Sequence, residues 1–323
     1  MNRTLLWKCV TEVQLLFIAC ALLLFSFCCV RIFIVASIDT GSFANIVGEL
    51  WDNYGHLAPV PLSQILTYNG RIAIGYDEPM VVFCVTIFAI ARGSAAISGE
   101  LSRGTMEMLL AQPISRLQAL YSQAAVTVAS LVLLCISTWF GTWAGIQTAQ
   151  ATEVPPPPTV SVPFLNSKIP LSFTTPPKIR VPMRERVRPT DFIPGAVNLF
   201  CLGFCMAGLT TFASACDRYR WRTIGIVSTF FVLQMIFKVL GRTFESTSFL
   251  QYFSILTVYE PQRVIYIGVE LPQYNWAWWL PEGAKNPSMA GPLLCYAVLL
   301  GLGIGGYVGA GFVFQKRDLP APL

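Results

Sequence analysis

The residues from Ile97 to Gln118, ISGELSRGTMEMLLAQPISRLQ, gather more chemistry than any other stretch of this chain. Glu100, Arg103, Glu107 and Arg116 stand there in alternating sign, Gly104 and Pro113 bracket a short helical piece, and long apolar runs lie on both sides. Charges of both signs on such a block suit docking, because they fix register against a complementary surface. The patterns of catalysis are missing. No GxxxxGK[ST] loop is present to cradle nucleotide phosphates, and no GxSxG, HExxH or paired-cysteine metal spacing occurs. Cys201 and Cys205 share a helical face, but with one histidine in the whole chain they read as small apolar packing groups. Neither a metal nor a cofactor is expected.

The elements that must position the block follow from composition. A chain of 323 residues with 54% apolar and 12% charged residues and a mean hydropathy of +0.58 does not have a soluble composition. A span needs roughly 20 mostly apolar residues, and six segments qualify: about 14–37, 79–98, 118–147, 192–215, 222–241 and 291–314. The expectation is a single all-α integral membrane domain of six transmembrane helices, with both termini on one side. The ten cysteines fall in the spans or on the side assigned as cytoplasmic, so no disulfide framework is expected. The modest net charge of +5 suits membrane lipids and not nucleic acid. No span carries Asp or Glu well inside it, which makes an ion-coupled carrier a poor reading. Lys238 is the one ionisable residue deep in a span, and snorkelling accounts for it. Without a nucleotide loop or an ion relay, energy for transport must come from a partner.

Along the chain, residues 3–13 place Leu6, Cys9, Val10 and Val13 on one face, which predicts a short surface helix leading into an uncleaved first span. Phe43, Ile46, Val47, Leu50, Trp51 and Tyr54 predict an amphipathic outer helix with Ser42 as N-cap, followed by a solvated His56. The second span should run unbroken to Gly104, with Arg92 snorkelling near its end. Thr105–Ala111 then forms a cross-piece with Met106, Leu109 and Leu110 on one face, Pro113 stops it, and Ser115 caps the next helix with Gln118 three residues on. Residues 148–191 form a proline-rich outer loop, either a partly ordered tether or, around Val160–Phe173, a strand pair. Asp191 and Pro194 open the fourth span, and Asp217–Arg222 makes a basic, headgroup-contacting corner. Phe249, Tyr252, Phe253 and Leu256 predict a short helix stopping at Glu260 and Pro261, with an aromatic belt at Trp276, Trp278 and Trp279. Gly301, Gly305 and Gly309 form a doubled GxxxG that suits close helix packing, inside the monomer or at a dimer seam.

Gly99, Glu100, Arg103, Gly104, Thr105, Glu107, Leu109, Leu110, Pro113, Ser115 and Arg116 match the usual wording of the cytoplasmic loop of type-2 ABC exporter permeases, and here the chain resembles that family. The Asp217–Arg222 corner and the terminal KRDLPAPL, Lys316 to Leu323, resemble its bacterial branch. The resemblance implies a permease subunit of an ATP-driven exporter in the cytoplasmic (inner) membrane. It implies pairing with a second permease subunit, as homo- or heterodimer, and a separate ABC ATPase subunit that hydrolyses ATP, the chain itself being no enzyme. It makes 99–117 the coupling loop and Thr105–Ala111 the coupling helix. Glu100 and Arg103 lead into that helix and Pro113 and Arg116 lead out. Met106, Leu109 and Leu110 would be its docking face, and Glu107 and Arg103 would set register. Residues 1–13 would be the elbow helix and Phe249–Leu256 a re-entrant segment.

A non-transporting scaffold or sensor that anchors a complex is the alternative from another class, and the absence of buried carboxylates argues against an intramembrane enzyme. Sidedness is the weaker inference, because ten Lys and Arg fall on each side and Arg180, Arg184, Arg186 and Arg188 lie close to the fourth span. The short turns, which weigh most, are the ones assigned inside. A reporter fused after Thr175 is expected to show activity outside the cytoplasm. Cytoplasmic activity there would overturn the six-span arrangement.

Overall fold

A backbone in hydrocarbon must satisfy its own polar groups, and long apolar runs do so as helices. Six helical stretches are long and apolar enough to cross a membrane: Arg3–Ser37, Tyr68–Ser102, Arg116–Thr148, Pro189–Cys216, Arg220–Thr243 and Pro292–Lys316. The chain is an all-α integral membrane protein. The structure, a computed structural model, describes residues 3–38, 60–153, 159–161, 168–170, 179–280 and 290–317, with 41, 43, 44, 47, 48, 50, 51, 55 and 58; the side chains of 107, 110, 159–161, 168–170 and 245 are outside the description.

The first helix, α1 (Arg3–Ser37), is continuous. This corrects the separate surface helix expected over residues 3–13: no glycine or proline falls between Arg3 and Ser37, so nothing interrupts the hydrogen-bond ladder. The second stretch comprises α2 (Tyr68–Asp77) and α3 (Pro79–Ser94), which meet at an extended Glu78 ahead of Pro79. Then follow α4 (Thr105–Leu110), α5 (Arg116–Thr148), α6 (Ile193–Cys216), α7 (Arg220–Thr243), α8 (Pro261–Glu270) and α9 (Pro292–Lys316). Helix α6 is the hub, touching α3, α5, α7, α8 and α9, while α1 runs along α5. Small residues set these approaches. A Cβ at Gly141 would meet the Phe25 carbonyl of α1 at 2.5 Å, and one at Gly208 would meet the Gly303 carbonyl of α9 at 2.2 Å. Without a hydrophobic drive between helices in lipid, such close contact is what holds them together.

The doubled GxxxG is therefore corrected in its details. Gly303 and Gly306 make the close approach to Phe204, Gly208 and Leu209, and Gly309 meets the Phe212 ring; Gly301 and Gly305 have nothing within 4 Å of an added Cβ. They stand on the exposed face of α9 with Leu302, Ile304, Val308 and Phe312. The pair at i, i+3 fits α6 where the expected i, i+4 repeat points outward.

At the end of the bundle away from Gly104, β1 (Gln150–Glu153) pairs antiparallel with β4 (Ile179–Pro182), with Ala151 opposite Val181. Within that loop β2 (Thr159–Ser161) pairs with β3 (Lys168–Pro170), so the strand pair forms. Asp191 is not the N-cap of the fourth span: it sits in a 3₁₀ turn (Pro189–Phe192) and accepts from Asn69 Nδ2 at 3.3 Å. Residues 245–253 and 255–258 are 3₁₀ turns that leave Phe249, Tyr252 and Phe253 exposed and bury Leu256, and Pro261 begins α8 where a stop was expected. Buried Glu260 binds both Arg242 and Arg263. Burial lowers the pKa of Arg263. Lys238 does not snorkel outward; its Nζ donates to the Tyr259 carbonyl at 2.9 Å beneath these turns. Phe43, Ala44, Val47, Leu50 and Trp51 of the expected outer helix are helical, whereas Ser42, Ile46, Tyr54 and His56 lie outside the described residues. Trp276, Trp278 and Trp279 are exposed, and all ten cysteines are free thiols.

Gly208→Val should destabilise the protein by about 1–3 kcal/mol through overpacking against α9, read as a lowered midpoint in thermal unfolding of detergent-purified protein. Gly305→Ala should leave that midpoint unchanged; equal losses at both positions would contradict the packing described.

Candidate functional site

At the Gly104 end, the second span does not stay α-helical. It widens into a π-turn over Ala95–Gly99, and the backbone N–H groups of Ile97 and Ser98 reach Ser214 Oγ of α6 at 3.3 and 2.8 Å. Such a bulge displaces amides from the regular ladder, and a hydroxyl from a packed neighbour satisfies them. Thr223 of α7 bonds Ser98 Oγ at 3.2 Å, and Arg220 Nη2 reaches the Ala91 carbonyl at 3.2 Å. Arg220 thus turns inward beneath α3, which corrects its assignment to headgroups. Its corner neighbours behave differently: Asp217 Oδ1 accepts from the Arg218 and Tyr219 amides and Arg222 remains exposed. Arg92 does not snorkel; it is 4% exposed and faces the bundle interior.

The centre of the end is Glu100, 1% exposed. Lys8 Nζ of α1 lies 3.2 and 3.3 Å from its two oxygens, Arg103 Nη2 lies 3.3 Å from Oε1, and the Thr105 hydroxyl donates to Oε2. One carboxylate therefore joins the start of the chain, the end of the second span and the start of α4. Surface ion pairs contribute little, but a carboxylate out of water depends on its donors, and removing one from a buried pair costs about 3–5 kcal/mol. Lys8 and Arg103 keep their side chains 40% and 48% exposed, so the cost here falls below that range.

Gly104 follows with φ +70°, and its N–H bonds the Leu101 carbonyl at 3.2 Å. A Cβ there would meet nothing within 4 Å, so glycine is needed for its left-handed backbone, not for space. The chain reverses and α4 crosses beneath the bundle. Its expected docking face is corrected. Met106 is 3% exposed and packs with Ile97, Leu120, Ala310 and Phe314, and Leu109, 8% exposed, packs with Leu5 and Ala119. These side chains clamp the cross-piece to its own helices. Among the described side chains of α4, Met108, 75% exposed, is the large apolar group that points outward. The side chains of Glu107 and Leu110 lie outside the described residues.

The exit is held equally firmly. Pro113 is exposed, and Ser115 Oγ caps α5 by accepting from the Gln118 N–H at 3.2 Å. Arg116 Nη1 donates to the carbonyls of Arg317 at 2.6 Å and Phe314 at 3.2 Å, over the Phe314 ring. Arg317 in turn donates to Ala215 and Asp217 carbonyls at 2.7 and 3.0 Å. Two guanidinium groups thus cap the last carbonyls of α9 and α6, where helix ends leave acceptors unsatisfied and favour positive charge. Arg317 was not a candidate from sequence. Its signal was a basic residue in the first position past a long helix.

The geometry amounts to a cross-piece bonded through Thr105 to Glu100 and packed through Met106 and Leu109 against residues of α1, α5, α6 and α9, with Arg103, Met108, Ala111, Gln112, Pro113 and Ser115 on its exposed side. Of the residues predicted to couple, Arg103 and Thr105 converge on Glu100, Arg116 bonds the end of α9, and Met106 and Leu109 anchor.

Comparison with curated proteins gives no match. The family model described as ABC-2 family transporter protein matches residues 12–319, which take in the cross-piece, most of the first long helix and all of the other five, and the chain belongs to that family of membrane transport components.

Proposed function

We propose that the chain is the permease subunit of an ATP-driven ABC exporter, in which ATP hydrolysis occurs on a separate subunit. Membership of a transporter family supports the permease role. The observation that carries the coupling role is the cross-piece: exposed on one side, broken from the second span at Gly104, bonded through Thr105 to Glu100, and packed on its other side through Met106 and Leu109 against residues of α1, α5, α6 and α9. Its exposed side is the docking surface for an ABC ATPase, with Met108 as apolar anchor and Arg103 at the rim. Closure of an ATPase pair would push the cross-piece, and the rigid helices would pass that motion into the bundle as alternating access. Two permease subunits would form the pathway, with α1, α9 and α4 at the cytoplasmic face of the inner membrane. The open face of α9 around Gly301 and Gly305 suits either lipid or the second subunit.

The test follows from the corrected orientation of α4. Protein carrying Met108→Asp, purified from native membranes, should retain at least about tenfold less ABC ATPase subunit than wild type, a loss expected for a buried interface anchor. The ATPase is identified by its phosphate-loop peptides in mass spectra. The unfolding midpoint should not move, because residue 108 is exposed. Leu109→Asp should instead lower that midpoint. Undiminished ATPase recovery with Met108→Asp would refute docking at this surface.

A further inference from the structure

Three arginines among the described residues are buried: Arg71, Arg92 and Arg263. Arg71 donates to the Ile38 carbonyl at 3.0 Å and Arg263 to Glu260 at 2.7 Å. Arg92 differs. Its Nε and Nη2 are buried without a hydrogen-bond partner, and no described carboxylate lies within ion-pairing distance. A guanidinium stays charged at any accessible pH, so burial does not neutralise it. A charge taken out of water in a membrane span requires a partner and marks a functional site by default.

Its surroundings do not supply that partner. Glu12 is the carboxylate whose field acts on Arg92, but Glu12 is engaged by Lys8 at 3.7 Å. Glu100 is bonded to Lys8, Arg103 and Thr105. Arg103 and Arg220 add further positive charge around Arg92. Lys8, Arg92, Arg103 and Arg220 face two carboxylates, which leaves the region positive. On α9 the buried hydroxyl of Tyr307, 7% exposed, faces Thr211 of α6 and lies near enough to Arg92 to feel its charge. Gly93, the next residue, is pressed against Ala207 and Thr210 of α6, so α3 and α6 are in close contact beside Arg92.

We propose that this part of the bundle binds a phosphate-bearing anion, with Arg92 as its counter-charge. Nε and Nη2 form one edge of the guanidinium, and two parallel N–H donors on one edge match two oxygens of a phosphate. The anion is either the headgroup of a lipid or free phosphate. The site concerns the bundle alone, so it stands or falls independently of ATPase docking.

The test uses the full chain in maltoside micelles with no ATPase present. One arm adds phosphatidylglycerol, a second adds diacylglycerol of the same acyl chains, and a third adds inorganic phosphate. Unfolding midpoints and native mass spectra report binding. Wild type should be stabilised by phosphatidylglycerol or by phosphate and not by diacylglycerol; the arm that responds names the source. Arg92→Gln should weaken that binding about tenfold or more. Arg92→Lys, which keeps the charge and loses the two-donor edge, should weaken it by a smaller factor, and the exposed control Arg222→Gln should not change it. Should Arg92→Gln fail to fold, the Arg92→Lys loss still decides. No stabilisation of wild type by either phosphate source, or equal stabilisation of wild type and Arg92→Lys, overturns the proposal.

Discussion

A carboxylate withdrawn from water has to be met by donors, and Glu100 is met by Lys8 near the start of α1 and by its near neighbours Arg103 and Thr105. The rest of the Gly104 end depends on that requirement. Lys8 can reach the carboxylate only because α1 continues unbroken to its first turn, and Thr105 only because Gly104 adopts a positive φ and turns the chain back. The capping of α6 and α9 by Arg317 and Arg116 extends the same logic to the carbonyl ends of helices. What results is a set of helix ends tied by polar bonds at one face, while the interior is held by close contact of small residues.

That division explains how an apolar bundle can transmit force. Packing through Gly141, Gly208 and Gly303 leaves little room for independent sliding of α1 on α5 or α9 on α6. Under the proposed coupling role, a push on the cross-piece would move helix pairs as units. The opposite end has its own anchor in Glu260, flanked by Arg242 and Arg263, so the short turns over residues 245–258 are pinned to α7 and α8. Besides the extended Glu78, the second span is irregular at the π-turn over Ala95–Gly99, whose freed amides are met by Ser214 from another helix. Irregular backbone at such a place is a natural point of flexure.

How much of this was legible in the sequence depended on range. The break at Gly104, the stop before Pro113 and the Ser115 cap are decided by residues within four positions, and all three stand where spacing put them. The partners of Glu100 and Arg116 lie 92 and 201 residues away, and no local pattern encodes such pairings. Helix α4 has six residues, too few for periodicity to say which side faces the bundle, and so Met106 and Leu109 were read as the outer face that Met108 in fact occupies. In α9 the glycines satisfy both an i, i+3 and an i, i+4 rule, and only the position of Gly208 on α6 chooses between them. The π-turn carries no composition signal at all, because Ala95–Gly99 is as helix-compatible as its neighbours.

The central claim is that the Glu100 carboxylate holds α1 and the cross-piece together as one unit. Hydrogen exchange on reconstituted protein tests it directly, by comparing wild type with Glu100→Gln. Faster exchange in residues 3–10 and 105–110 together, with the α6 amides unchanged, is the result predicted. Exchange that is unchanged, or altered only between residues 100 and 104, would contradict it.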